Sequence, residues 1–389
     1  LSYKDTLFNT IYYSLISATH TIAMPFLMTL SFKHRYRESI PARFFLWKDS
    51  PQKVKNGIHF HGCSLGEINS LKPFIKEFQI IGQITVTAST NTGFESAKKI
   101  KDIEVKYLPF ETFIPFWLKK QKLLVVAEAE LWFLLFYVAK KRGAKTVLLS
   151  GRISERSFPK YKKMGWFYKK LFQNIDLFLV QTEKDRERFI ELGAKNIEVT
   201  GNIKLLKPTI HKSSLTIPTD REIVIGASTH KGEEEIILDG FRKYGKGRLI
   251  IVPRHPERFN EVDKLIKEFC KSNSISYNRY SENNSFKSDV TLFDVMGRLI
   301  ELYSLSDTVI LGGSFIDGIG GHNPVEPASF KNRVISGEFY LNQIELYSYI
   351  SNIEIVNSDT LLTALESEWR LSSFNNSVDF DRVIELIKS

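Results

Sequence analysis

Past residue 50 the chain alternates short apolar runs with amphipathic stretches, and that alternation leaves few folds open. Ile58-His-Phe-His61, Ile84-Thr-Val-Thr87, Leu123-Leu-Val-Val-Ala127, Thr146-Val-Leu-Leu149 and Leu177-Phe-Leu-Val180 read as strands, with helical patterns near 67–79, 92–101, 130–142 and 182–193. Runs this apolar suit strands buried on both faces, and the βαβ rhythm predicts a doubly wound parallel sheet. Residues 202–220, with Lys207-Pro208, Ser213-Ser214 and Ile217-Pro218, show neither period nor apolar run, so a linker is expected over 206–220. The rhythm then restarts at Glu222-Ile-Val-Ile225, Arg248-Leu-Ile-Ile-Val252, Thr308-Val-Ile-Leu311 and Arg333-Val-Ile335. The expected architecture is α/β: two Rossmann-like domains, 48–205 and 221–389, facing a cleft. Ligands in such sheets bind beyond the carboxyl ends of the strands, so chemistry is sought in the loops that follow them.

At 389 residues the chain has length for two cores, and 43% hydrophobic with 25% charged residues marks it as globular. Two distant cysteines, Cys63 and Cys270, exclude a disulfide framework or zinc motif and suit a reducing compartment. The net charge of +10 points to anionic partners without choosing among nucleic acid, acidic lipid and phosphorylated substrate.

Residues 1–47 form a separate segment. From Thr6 to Phe32 there is no Lys, Arg, Asp or Glu, a length that reaches across a bilayer, although its Ser, Thr, Asn and Pro25 make a mediocre span. No basic n-region or cleavage pattern frames a signal peptide. Lys33, Arg35, Arg37 and Arg43 follow, interleaved with Tyr36, Phe44, Phe45 and Trp47, a pattern that favours an anionic membrane surface. A spanning helix, an interfacial amphipathic helix and a plain core helix all fit this stretch.

The strand-end loops carry the polar residues. In His61-Gly-Cys-Ser-Leu-Gly-Glu67, Ser64 and Glu67 have capping-box spacing; a carboxylate there, held ionised by the helix macrodipole, also suits a general base. Cys63 has no convincing acid/base partner for a nucleophilic role. Glu128 and Glu130 form an acidic pair before a helix, either to hold a hydroxyl or to favour the helix start. Ser150 to Ser157 packs Arg152 and Arg156 beside Glu155, fitting an anionic ligand or a solvated turn. Gly201-Asn-Ile-Lys204 closes the first half. In the second half, Gly226-Ala-Ser-Thr-His230 runs into Glu233-Glu-Glu235, and Pro253-Arg254-His255-Pro256 presents a guanidinium on a stiffened loop. The stretch Gly312 to Ala328 joins Gly312, Gly313, Gly320 and Gly321 to Asn323 and Glu326, a loop suited to a phosphate or sugar hydroxyl or to a tight strand-to-helix turn. No His spacing supports a metal at His255 or His322.

Together these loops resemble the lipid A 3-deoxy-D-manno-octulosonic acid (Kdo) transferases. The resemblance is carried, in order, by His61–Glu67, Ala88-Ser-Thr-Asn-Thr-Gly93, Glu128-Ala-Glu-Leu-Trp132, Gly151-Arg-Ile-Ser-Glu-Arg-Ser157 and Gly201–Lys204. It continues through Pro253-Arg-His-Pro-Glu-Arg-Phe259, Met296-Gly297 and Gly312–Ala328, and covers residues 5–345. It implies a GT-B glycosyltransferase on the cytosolic face of the inner membrane, moving Kdo from CMP-Kdo to a lipid A precursor, metal-independent, inverting and without a cofactor. By position, Glu67 is the base and Glu130 a second catalytic residue, with Ser64, Gly66 and Arg152 toward the acceptor. Lys204, Pro253, Arg254, His255, Met296, Gly297, Arg298, Gly312, Gly313, Ser314, His322, Asn323, Pro324, Val325 and Glu326 fall to the donor. The resemblance also implies that the final helix, Phe380 to Lys388, crosses back to the first domain. Arg298 replaces a usual acid, Asp317-Gly318 lengthens the glycine loop, and Cys63 replaces a small residue. Rival readings are a GT-B enzyme with another nucleotide sugar, or a non-enzymatic protein binding anionic membrane or nucleic acid; nucleic acid is not expected as a partner.

Overall fold

The computed structural model describes residues 3–33, 36–44, 51–207, 214–374 and 378–389. The chain forms two compact units, Leu1–Leu206 with Val378–Ser389, and Lys207–Ser377. The first holds strands β1 (Gly57–His61), β2 (Ile84–Ala88), β3 (Glu104–Tyr107), β4 (Gln121–Ala127), β5 (Lys145–Gly151), β6 (Leu177–Val180) and β7 (Ile197–Val199). Their order is β3-β2-β1-β4-β5-β6-β7, every pair parallel. The chain winds one way from β1 to β3 and the other way from β4 onward, so the winding reverses between β1 and β4.

The second unit repeats the plan with β8 (Ile223–Thr229), β9 (Arg248–Pro253), β10 (Tyr277–Arg279), β11 (Val290–Leu292), β12 (Thr308–Leu311), β13 (Arg333–Ser336), β14 (Ile350–Ser351), β15 (Ile353–Ile355) and β16 (Ser373–Phe374). Its sheet runs β10-β11-β9-β8-β12-β13-β15, again all parallel, and reverses between β8 and β12; β14 and β16 pair separately and antiparallel. The central strands are buried on both faces, as their unbroken apolar runs require.

Residues 214–220 are not a free linker. Leu215 and Ile217 are buried in the second unit's core with Ile223 and Ile250, because two apolar side chains spaced two apart lie on one face of an extended segment. Pro208 to Ser213 lie outside the described residues.

The last helix, Phe380–Lys388, belongs to the first unit. Asp379 caps it by accepting the Arg382 N–H at 3.0 Å, and its apolar face, Val383, Ile384 and Ile387, joins the core of Phe74, Leu123 and Val147. Lys145 Nζ donates to the terminal carbonyls of Leu386 (3.2 Å) and Ile387 (3.0 Å).

Helix α1 (Tyr3–Ser31) also lies on the first unit. Tyr12 packs against Phe133 with ring centroids 4.7 Å apart, and its hydroxyl donates to Glu111 at 2.8 Å. His20 Nδ1 lies 2.6 Å from Thr112 Oγ1, and its ring stacks on Phe44. The opposite side exposes Leu7, Ile11, Leu15, Ile22 and Phe26. Among the described residues no helix is long and apolar enough to cross a membrane. Of the basic and aromatic cluster expected to face a membrane, Arg43, at the end of α2 (Ser39–Arg43), and Phe44 turn inward, because Phe110 offers both an aromatic face. Arg35, Phe45 and Trp47 lie outside the described residues.

Ile387→Ala removes a side chain that is 1% exposed, and is expected to cost about 2–5 kcal/mol. Chemical denaturation followed by intrinsic tryptophan fluorescence measures it; a change below about 0.5 kcal/mol would show that the helix adds nothing to this core.

Candidate active site

In the first unit the loop after β1 turns into α3 (Leu65–Gln79) and fixes Glu67 by both carboxylate oxygens. The Cys63 N–H donates to Oε2 at 2.7 Å and the Ser64 hydroxyl to Oε1 at 3.0 Å, while the Glu67 N–H donates back to Ser64 Oγ at 3.4 Å. This is a capping box shifted by one residue: Ser64 caps the helix, while Glu67 reaches back to the N–H of Cys63 in place of that of the N-cap. The expectation that the helix macrodipole holds Glu67 ionised is corrected by its surroundings. Burial pushes the carboxyl up to about 7; the Cys63 N–H opposes this, and the charges of Glu128 and Glu130 add to it. Desolvation and two like charges outweigh one helix end.

Glu130 goes the other way. Burial alone would raise it, but His61, Trp132 and Cys63 together hold it below the usual carboxylate range. Trp132 Nε1 donates to Oε2 at 2.7 Å, and His61 Nε2 lies 3.6 Å from the same oxygen. His61 is itself buried and anchored, its Nδ1 2.9 Å from Thr87 Oγ1. Two neighbouring carboxyls are thereby driven apart, one poised near neutrality and one kept charged, a division that suits acid–base work. Glu128, just past β4, adopts φ +54°, a left-handed conformation unusual for a side chain of its size, and pairs with Lys204 at 2.7 Å. Gly66 lies beside Lys204, a Cβ built on it standing 3.9 Å from Lys204 Cε. Lys204, assigned above to the donor, thus stands with the carboxylates of the first unit. Arg152 is exposed on the loop after β5.

In the second unit the glycine-rich loop is occupied from within. The buried Glu233 carboxylate accepts the N–H groups of Gly313 (2.7 Å), Ser314 (3.0 Å), Phe315 (2.9 Å) and His230 (2.9 Å). Ser314 is fully buried, its hydroxyl donating to the Leu311 carbonyl and accepting from the Gly337 N–H. Gly312 lacks a side chain because a Cβ would stand 2.7 Å from the Ser228 carbonyl oxygen. Gly312, Gly313 and Ser314 therefore lock the turn: the Gly312 N–H is taken by the Ala227 carbonyl at 2.8 Å and the Gly313 and Ser314 N–H groups by Glu233, so none of these three amides points free toward a donor.

The second half of the loop is different. Gly313, at φ +71°, makes room for the His322 ring, which lies nearly parallel to the His230 ring with centroids 5.2 Å apart. His255 meets His230 edge-on at 5.2 Å. Arg254 is exposed at the end of β9, beyond the buried Pro253. The short helix Val325–Ser329 follows Pro324, with Asn323 Oδ1 accepting the Val325 N–H at 2.9 Å. Val325 is a core side chain and offers a ligand only backbone. Burial raises Glu326, while the Arg254 charge and an Asn323 hydrogen bond oppose that rise. Met296 is exposed and Gly297 adopts φ +80°. Arg298 does not present a free guanidinium to a nucleotide: Glu301 takes it in two bonds of 2.8 Å, as a carboxylate three residues along a helix can. Among the described residues no three His, Cys, Asp or Glu side chains are placed to hold a metal ion.

Comparison with known proteins now bears on this geometry. A family model described as 3-Deoxy-D-manno-octulosonic-acid transferase (kdotransferase) matches residues 38–207. The 3-deoxy-D-manno-octulosonic acid transferase of Haemophilus influenzae is 32% identical over 97% of this chain and 97% of its own length. The chain belongs to the Kdo transferase family. The Aquifex aeolicus 3-deoxy-D-manno-octulosonic acid transferase is 30% identical over 83% of this chain and 88% of that protein. A bifunctional glycosyltransferase/methyltransferase of Fusobacterium nucleatum is 35% identical over 82% of this chain, which spans only 53% of that relative. The solved C-terminal CMP-Kdo binding domain of WaaA from Acinetobacter baumannii is 31% identical over 38% of this chain and 79% of its own, at a TM-score of 0.34, too low for a structural argument.

As a Kdo transferase the chain is a glycosyltransferase, and the motifs that carry the family resemblance supply most of both clusters. Three contributors lie outside those motifs' reach. Arg43 donates Nε–H to the Leu108 carbonyl at 2.9 Å, covers the Phe110 ring at 4.3 Å and directs its charge toward Cys63 and Glu130. His230 and Glu233 were visible only as a strand end and an acidic helix start.

Cys63 is no nucleophile in this setting. Burial, with the charges of Glu130 and Glu67, pushes its thiol up to about 12. At pH 8 roughly one part in ten thousand is thiolate, so iodoacetamide is expected to leave Cys63 unmodified for an hour in the native protein and to label it after unfolding. Complete native alkylation within minutes, read by mass spectrometry, would contradict this.

Proposed function

We propose that the chain transfers Kdo from CMP-Kdo to the primary hydroxyl of a lipid A precursor, with Glu67 as general base. The observation that carries the reading is the split carboxyl pair: Glu67, fixed by Cys63 and Ser64 and lifted to about 7, beside the ionised Glu130. A base with that value is substantially ionised at neutral pH yet strong enough to accept a hydroxyl proton in the transition state. The acceptor oxygen forms a bond to the anomeric carbon of Kdo as the bond to the CMP phosphate breaks. The proton passes to Glu67 and the electron pair leaves with the phosphate. Attack opposite the leaving group inverts the anomeric centre.

A nucleotide phosphate is already a good leaving group, so the reading needs charge balance more than a strong acid. In the second unit Arg254 and the histidines beyond β8, β9 and β12 suit the phosphate; in the first, the Lys204–Glu128 ion pair offers charge near the base. The reading is metal-independent. The exposed apolar side of α1 suits the cytosolic surface of an anionic inner membrane, and the docked inner side favours a helix that lies on the bilayer.

Purified protein, CMP-Kdo and lipid A precursor, incubated with a chelator, are expected to yield lipid heavier by Kdo; release of UDP from a UDP-sugar in its place would overturn the donor assignment. Because only ionised Glu67 is active, kcat/KM is expected to fall about tenfold per pH unit below about 7 and to level off above it. Glu67→Gln is expected to lose about 100-fold or more in turnover while keeping CMP affinity, and near-normal transfer would remove Glu67 from this role. Arg254→Ala is expected to weaken CMP binding by calorimetry more than it weakens lipid binding.

A further inference from the structure

Three histidines from three separate strand-end loops of the second unit meet side by side. His230 Nε2 and His322 Nε2 lie 3.0 Å apart, the two rings meeting edge to edge with their planes 18° apart. Two ring nitrogens at that distance share one proton, one donating and the other accepting. His255 closes the group edge-on, its Nδ1 3.6 Å from Glu257.

The surrounding charges keep a second proton off this pair. His230 is lowered by burial, with His255, Arg258 and Arg254 reinforcing and Glu234 opposing. Glu234 offers little relief, since Arg258 binds both its oxygens at 2.8 and 3.1 Å. His322 is pushed down to about 4 by burial, Arg254, His230 and His255, against a hydrogen bond to the Ser228 backbone. Glu326, facing Arg254, is itself drawn toward its neutral form by burial. The pair is thus a neutral, polarisable base set beside a fixed cation, and an arriving anion reverses the balance.

We propose that His230 is a positioning residue of the donor site which, through its hydrogen bond to His322, lets the histidine pair take up one proton from solvent when a nucleotide phosphate binds. The resulting imidazole–imidazolium pair places a positive charge, spread over two rings, against the phosphate. That charge remains as the phosphate gathers electrons on departure. The inference rests on the reading that the second unit binds CMP.

The test uses the whole protein and two probes, CMP and its 5′-phosphate methyl ester. The ester is a phosphodiester of fixed single charge, so any proton taken up with it belongs to the protein. Calorimetry near pH 7 in buffers of different ionisation enthalpy is expected to show about one proton taken up per ester bound. Affinity should fall up to about tenfold per pH unit from pH 6 to 8. In His230→Gln, which keeps an N–H at this position, the uptake and the pH dependence are expected to vanish. Imidazole 15N shifts of the wild type give a second readout: two ring signals should move from neutral toward imidazolium values on adding ester. Ester binding without proton uptake, uptake unchanged in His230→Gln, or unmoved imidazole signals would each overturn the proposal while leaving CMP recognition standing. Failure of both CMP and the ester to bind wild-type protein would overturn the donor-site reading and this inference with it.

Discussion

Each unit is organised by one constraint, a parallel sheet covered on both faces. Its central strands have no solvent-facing side on which to carry polar chemistry, so that chemistry is confined to the strand ends. The reversal of winding then selects which ends. In the first unit it lies between β1 and β4, whose following loops carry Glu67 and the Glu128–Glu130 pair. In the second it lies between β8 and β12, whose loops carry His230 and the segment ending at Glu326. Residues 60 or more positions apart are neighbours because the winding turns back between their strands.

Within that frame the electrostatics are decided by burial. A helix N-terminus favours an anion by about 0.3–1 kcal/mol at an exposed site, and Glu67 occupies such a position. It nonetheless sits near neutrality, because desolvation and two adjacent carboxylates disfavour its charge more strongly. Glu130 is half-buried in the same corner and is held toward its ionised form because an indole N–H and a neighbouring imidazole meet it directly. The contrast lies in the partners. Glu67 is met by one amide and one hydroxyl of its own loop, and those partners orient it without fully neutralising the cost of its charge.

What could be read from the sequence follows the range of the interactions. The capping box of Ser64 and Glu67 is complete within four residues and was legible as a cap and a candidate base. The strongly apolar central strands were legible as well. The edge strands β3, β7, β10 and β15 were not, since strands of three or four residues with Glu, Lys, Asn or Arg among them carry no apolar run. Leu215 and Ile217 were read as linker because two apolar residues among Ser, Thr and Pro leave no periodic trace. Arg43 reads in sequence as part of a membrane-facing cluster because nothing local marks where its guanidinium goes. Its partners, Leu108 and Phe110, are more than sixty residues distant, and only the folded chain brings them under the guanidinium.

The glycine loop shows how a fold can occupy its own backbone donors. Backbone N–H groups attract a ligand phosphate only while they lack an anion of their own. Glu233 supplies that anion for Gly313, Ser314 and Phe315, and its burial makes the arrangement permanent in the fold. On the proposed donor reading, recognition of a nucleotide's charge in the second unit therefore falls less to these amides than to side chains at the strand ends. There Arg254 would provide a fixed charge, and the paired His230 and His322 one that depends on what binds. A guanidinium draws in any anion of suitable shape. An imidazole pair held neutral beside it would, on the proposed reading, respond to the anion's field and gain its charge only with the phosphate in place.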